Sequence, residues 1–468
     1  MNKQNASKRK YSRRDFLKLA GGAAFIVAGS SIMPQFLRKT LLPTSIAHAD
    51  ETNPDLYFAG TDGWIYLPPS PEIVSETFGK VHPDSLAPAP FNTYIFGFRN
   101  LTGLTPDQRH NQKNHAQHNA PLFWVDEYDP AVGQSFYLKL TNLGLAQRPD
   151  LTDSHTLHWH GFRNVIPFFD GEPTGSVSVP VGREFTYVYV ARDPGTYMYH
   201  CHVEDVEHVH MGMTGLVFVR PLQNKNTALL DLGTLRSAPN NIPFSGFAYN
   251  DGDGSSGYDR EFAMFLSEVW AAAHWCDAHI QLPDWTDYHV DFALLNGRVY
   301  PDTLAPNGPI DDAASTTSII YQTNSDGDLI ADAEHPELQY QPLSALVNCN
   351  EGENVLLRFA NLGFREASMT LEGIKMRVVG RDATPMHGRD GSHTSYETET
   401  LLIGAGESFD VIFTAPAYQG PGTYDTYMLY NRRFTQDDNL AGGSFGGQAT
   451  EVRVYASGVL PAQTLINT

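Results

Sequence analysis

Beyond residue 50 the chain is written in short apolar stretches broken by Gly, Pro and Asn. Phe136-Tyr-Leu-Lys-Leu140 and Phe185-Thr-Tyr-Val-Tyr-Val190 are rich in aromatic and β-branched residues and alternate between apolar and polar. Such alternation places every second side chain on one face, which is the signature of half-buried strands. Helical periodicity is scarce. Evenly spaced short strands between turn signals predict an all-β protein built as a β-sandwich or Greek-key barrel.

The pattern occurs twice. Ser135–Gly144 (SFYLKLTNLG) matches Asn354–Gly363 (NVLLRFANLG), Val181-Gly-Arg-Glu-Phe matches Ala405-Gly-Glu-Ser-Phe, and Gly195-Thr-Tyr matches Gly422-Thr-Tyr. The offsets of 219, 224 and 227 residues stay steady and in order, as a duplicated domain requires. The expected domains are 51–224 and 225–460. Asn250–Tyr258, with three glycines and two serines, reads as a mobile loop.

Residues 1–49 read as an address rather than as fold. Ser12-Arg-Arg-Asp-Phe-Leu-Lys18 precedes an apolar run from Leu19 to Ile32, and Ala47-His-Ala49 has the form of a cleavage site. Paired arginines ahead of an apolar run predict a twin-arginine export signal and a periplasmic or extracellular protein; an uncleaved basic anchor is the alternative. No later stretch is long and apolar enough to span a membrane. The first 49 residues carry nine Lys/Arg and one Asp, so a total charge of −21 leaves the remainder near −29. That acidity argues against nucleic acid and anionic membrane as partners.

The chemistry concentrates in two segments, His155-Thr-Leu-His158-Trp-His160-Gly161 and His200-Cys201-His202, the second followed by His208 and Met213. On a strand, His158 and His160 share a face and His155 takes the other. His200 and His202 likewise share a face, with Cys201 opposite. Two adjacent strands then build two sites back to back. His155, Cys201, His208 and Met213 supply two imidazoles, a thiolate and a thioether, the donor set of a blue-copper electron-transfer centre. His158, His160, His200 and His202 present four imidazoles, good ligands for further copper ions. The Cys201 backbone joins the two sites through a few bonds.

These segments resemble the copper signatures of the multicopper oxidase family, which includes laccases, and the repeat resembles its cupredoxin domains. The resemblance implies an all-β protein of two cupredoxin-like Greek-key β-sandwich domains. It also implies a type 1 copper held by His155, Cys201, His208 and Met213, the candidate catalytic residues. His158 is then a type 2 ligand, and His160, His200 and His202 are type 3 ligands of a cluster that reduces dioxygen with electrons from a donor the sequence does not name.

Three features depart from the family pattern. Five residues separate His202 from His208 where three are usual, so His210 and Met211 compete for the imidazole and thioether roles; the His-x4-Met spacing favours His208 and Met213. The His-Cys-His strand lies in the first domain, as in some two-domain oxidases and in copper nitrite reductases. Only two of four His-x-His pairs are present: Thr370 and Glu372 align with His158 and His160, and Tyr430, Asn431 and Arg432 with His200–His202. The second domain is therefore expected to be copper-free, and a homo-oligomer in which first domain faces first domain would restore eight histidines.

Two other readings compete with an oxidase. A periplasmic type 1 copper electron-transfer protein would use the thiolate site alone. A copper nitrite reductase-like enzyme normally has Asp where His158 stands and lacks the histidine at 202, so both positions favour the oxidase. Elsewhere, His110, His115 and His118 read as a solvated loop, His274, His279 and His289 as structural or surface residues, and His387 and His393 similarly. Glu204, Asp205, Glu207 and Asp153 are either proton carriers or an exposed acidic loop. Cys276 and Cys349 are either a disulfide or two buried thiols.

Overall fold

The computed structural model describes residues 53–225, 244–388, 390–433 and 446–468. The export-signal reading at 1–49 lies outside them. Among the described residues no helix is long and apolar enough to cross a membrane.

Residues 56–220 form two four-stranded sheets. The first has the order β2-β1-β4-β6, with β1 (Leu56–Ile65), β2 (Thr93–Asn100), β4 (Phe136–Gly144) and β6 (Glu184–Tyr189). The second has the order β3-β8-β7-β5, with β3 (Phe123–Asp126), β5 (His158–His160), β7 (Gly195–His200) and β8 (Thr214–Arg220). Phe58, Phe96, Leu138, Leu140 and Tyr187 from the first sheet meet Phe123, Trp159, Tyr199 and Val217 from the second in one buried core. These are the inward positions of alternating strands, as the period of two demands.

The second half repeats the pairing. In the first half β1 runs parallel to β4, which is antiparallel to β6. In the second, Arg260–Val269 runs parallel to Asn354–Asn361, which is antiparallel to Ser408–Thr414. Likewise β3 is parallel to β8 and β8 antiparallel to β7; Val347–Asn350 is parallel to Ala449–Tyr455, which is antiparallel to Asp425–Asn431. The sequence repeats at 135 and 354 and at 181 and 405 therefore open equivalent strands.

The halves are joined through the outer face of the second sheet. Leu122, Trp124, Met198, Leu216 and Phe218 pack on Ala263, Phe265 and Ala360. Beside them Arg358, fully buried, donates from Nε to Glu261 (2.7 Å) and from Nη1 to Asp410 (3.1 Å) and Thr196 (3.2 Å). A buried guanidinium is tolerable only when paired and hydrogen-bonded in this way.

Two expectations change, and the open choice over the cysteines closes. The 250–258 loop is pinned rather than loose. The Asn250 side chain donates to Glu127 (2.6 Å), and the Asp251 carboxylate accepts from Gln223 (2.8 Å) and the Gly254 amide (2.9 Å). His118 is buried, not solvated, and burial drives its pKa down to about 3. Cys276 and Cys349 are separate buried free thiols.

Candidate metal centre

The site is built on one strand pair. β5 and β7 are antiparallel, and the register sets His158 opposite His200 and Trp159 opposite Tyr199. Directly paired residues share a face, so both imidazoles project to one side. Trp159 and Tyr199 project to the other, into the core. The ring centroids of His158 stand 5.3 Å from His200 and 5.0 Å from His202, and those of His160 and His200 are 5.6 Å apart. Ligand atoms of His158, His160 and His200 fall within 4.8 Å of one another.

On the opposite side Cys201 is fully buried. Its Sγ is 3.2 Å from His208 Nδ1 and 4.0 Å from His155 Nδ1. The Thr156 amide donates to the same sulfur at 3.5 Å. His208 arrives on a short helix, α1 (Asp205–Met211), which the longer segment after His202 forms. After Gly212 the chain turns into β8, and the Met213 carbonyl accepts from the Cys201 amide (3.1 Å). That bond sets Met213 beside Cys201, and its Cε lies near Gly60 together with the His155 ring.

His210 goes elsewhere. Its Nε2 accepts from the Trp270 amide at 3.1 Å, and its ring lies among His274, Trp285, Tyr288 and Phe364. The geometry thus brings His208, and not His210, to the cysteine.

The donor chemistry fits copper. Burial holds His208 down to about 4 and His200 down to about 3, and lowers His155, His158 and His160 as well. All five rings are therefore neutral near pH 7, each with a lone pair to give. His158 Nδ1 is 2.8 Å from the Asp170 carbonyl and His200 Nδ1 is 2.8 Å from the Cys201 carbonyl. A carbonyl accepts only, so each Nδ1 carries the proton and Nε2 is left as the donor to a metal, the usual arrangement behind metal-binding histidines. Burial pushes the Cys201 thiol up to about 11, so it becomes a thiolate when a metal displaces its proton.

Sequence reasoning missed three supports. Gly60 on β1 leaves room for the thiol site: a Cβ there would stand 2.6 Å from His155 Cδ2 and 3.3 Å from Met213 Cε. Gly171, at φ +78°, passes so close to Leu157 that a Cβ would be 2.2 Å from its carbonyl oxygen; that approach delivers the Asp170 carbonyl to His158. The Gly404–Gly406 turn of the second half covers one side of the four-histidine face, with an added Gly406 Cβ only 3.0 Å from His160 Nε2. A β-turn glycine beside a distant strand carries no local sequence signal for such roles.

The acidic residues divide. Asp153 and Glu204 converge on His208. Glu207 is half-buried and shares a hydrogen bond with Asp277, whose carboxyl burial pushes up to about 8. The carboxylates whose fields reach His158 are Asp170 and Glu172, and Glu172 also acts on His202.

The other histidines mostly hold structure. His110 is exposed, while His115 stacks on Tyr340 beside Asp328. His274 Nδ1 meets the Tyr94 carbonyl at 2.6 Å, His279 pairs with Asp84 at 2.9 Å, and His289 lies exposed beside Asp291.

In the second half the positions equivalent to the ligands are occupied structurally. The Thr370 and Thr400 hydroxyls share a hydrogen bond (2.8 Å), and Asn431 donates to Gln448 (2.8 Å) while accepting from the Ser368 amide (2.8 Å).

Two multicopper oxidase family models match residues 139–224 and 291–455, together more than half of the chain. The chain belongs to the multicopper oxidase family. Members of this family use copper, and the two donor sets described above are of the kinds that it holds. The chain is 24% identical over 295 residues to the multicopper oxidase MmcO of Mycobacterium tuberculosis, covering 61% of this chain and 45% of that protein. It is 26% identical over 346 residues to putative laccase-17 of Oryza sativa subsp. japonica, covering 73% and 47%. This multicopper oxidase thus spans about half the length of those curated relatives. In fold it is similar to the blue copper oxidase of Nitrosomonas europaea (TM-score 0.51, 20% identity, 85% of each chain). It is also similar to the multicopper oxidase mgLAC (TM-score 0.50, 19% identity, 87% of each chain). The cupredoxin-like, all-β architecture expected from the repeat is the fold of these neighbours.

Proposed function

We propose that this protein is a laccase-like oxidase in which four one-electron oxidations of a donor are matched to the reduction of one dioxygen to two waters. The observation that carries the reading is β7. β7 ends at His200, and the chain leaving it carries Cys201 to the opposite side, so the two donor sets share one backbone. His155, Cys201, His208 and Met213 would hold the type 1 copper. His158, as a type 2 ligand, and His160, His200 and His202, as type 3 ligands, would face the oxygen-reducing cluster. Copper in these sites supplies one-electron redox chemistry at the thiolate and oxygen reduction among the imidazoles.

The chain's own groups have the remaining tasks. The Asp170 and Cys201 carbonyls fix the tautomers of His158 and His200. Burial keeps water from the thiol. Glu172 and Asp170 lie where protons consumed in oxygen reduction could be delivered toward the four-histidine face.

Four histidines are half of what the family's cluster uses. We place the domains at 51–224 and 225–460, with first domain meeting first domain across a two-fold axis in a homo-oligomer. Residues 1–49 are read as a twin-arginine signal that exports the protein to the periplasm or beyond.

Oxygen uptake by copper-loaded protein with a phenolic dye as donor tests the activity; no uptake above a Cys201→Ser control would contradict it. One observation favours a second reading, a type 1 copper electron-transfer protein: Thr370, Tyr430, Asn431 and Arg432 stand where further ligands would be needed.

A further inference from the structure

A second convergence of metal-type donors lies outside the copper ligands. Asp253, from the loop after residue 250, and His387 and His393, from a hairpin, bring one ligand atom each to within 4.8 Å of one another. His393 Nε2 is 2.9 Å from Asp253 Oδ2, and the two imidazoles meet edge to face at 4.9 Å between centroids.

Both supporting segments are held by backbone bonds. His387 and His393 face each other across the hairpin, which the Gly388 amide closes onto the Ser392 carbonyl (2.7 Å) and the Thr394 amide onto the Met386 carbonyl (3.0 Å). The Asp253 carboxylate accepts from the Ser255 amide through Oδ1 (2.9 Å), which leaves Oδ2 for the histidines. Arg377, the nearby cation, donates to the Ser255 carbonyl at 2.6 Å. His387, His393, Met386 and Asp251 line a cavity of about 20 Å³, room for one water-sized occupant.

A surface ion pair would account for Asp253 and His393 but leaves the second imidazole unexplained. Two imidazoles and a carboxylate around one point are a recurring metal donor set.

We propose that Asp253, His387 and His393 form a separate site for a divalent transition-metal ion of the zinc or copper(II) class. Water completes the coordination, because the site is partly open to solvent. The ligands share no residue with the copper centre, so occupancy here is independent of it.

The test is calorimetric titration of untagged, copper-loaded protein with Zn²⁺. The expected result is one Zn²⁺ per chain, with affinity falling more than roughly 100-fold in His387→Ala/His393→Ala and the blue absorption unchanged. His393→Asn, at an exposed position, gives the same reading with less risk to folding and should also weaken binding. Absence of Zn²⁺ uptake by the copper-loaded protein, or uptake with unaltered affinity in folded variants, would overturn the proposal.

Discussion

His208 Nδ1 stands 3.2 Å from Cys201 Sγ. The same helix carries His210, two residues on, into an aromatic surround against the second half. His208→Ala and Cys201→Ser should therefore each abolish absorption at about 600 nm from thiolate-bound copper. His210→Ala should keep that band and lose stability instead, through the vacated space and the unpaired Trp270 amide. Absorption spectra of the three variants after copper loading decide the assignment. A blue H208A together with a colourless H210A would reverse it.

Gly60 gives a packing prediction. Its place opposite His155 and Met213 leaves no room for a methyl group. Gly60→Ala should destabilise the protein by about 1–3 kcal/mol and shift or weaken the blue band, because His155 must move. Urea denaturation and absorption read the two effects. An unchanged spectrum at wild-type stability would show that His155 and Met213 are not packed against this glycine.

Arg358 tests the seam between the halves. Its removal leaves Glu261 and Asp410 buried without their main partner, although Arg220 also reaches Glu261 at 2.9 Å. Arg358→Met should cost roughly 3–5 kcal/mol, measured by chemical denaturation, with little change in the blue band.

Acid should weaken the metal-free protein through buried neutral histidines outside the copper donor sets. Burial lowers His82 and His274 to about 4 and His118 to about 3. The unfolded chain protonates these rings near pH 6.5, but the folded chain resists until pH 4 or below. Stability is therefore full above pH 6.5 and falls as pH drops toward 4, by up to roughly 1.4 kcal/mol per pH unit for each ring. The urea midpoint should decline from pH 6 to 4.5, because the three rings outweigh the opposing contribution of the raised Asp277 carboxyl; a flat midpoint over that range would contradict this.

Much of the candidate site's geometry was legible because strand parity is a local property. The placing of His158 and His200 on one face and Cys201 on the other follows from a period of two and needs no tertiary information. The choice of His208 over His210 followed from spacing, and the helix after His202 explains how the longer segment still returns an imidazole to the thiol. Contacts between segments far apart in sequence stayed hidden. Gly60 matters only because β1 crosses beneath His155, and Asp170 acts through its carbonyl, which any residue possesses. The glycine and serine content at 250–258 suggested mobility, yet the side chains of Asn250 and Asp251 hold that loop. His118 looked solvated among polar neighbours and is buried by packing that its own segment does not reveal.

The proposed function requires the chain leaving β7 to join a thiolate copper site to an oxygen-reducing histidine site. Copper analysis of the purified protein, taken with its mass in solution, decides it. A symmetric pair of first domains sharing one three-copper cluster predicts about 2.5 coppers per chain in an even-numbered oligomer. One thiolate copper with no more than about half a copper beyond it per chain would rule out the shared cluster and leave an electron-transfer protein.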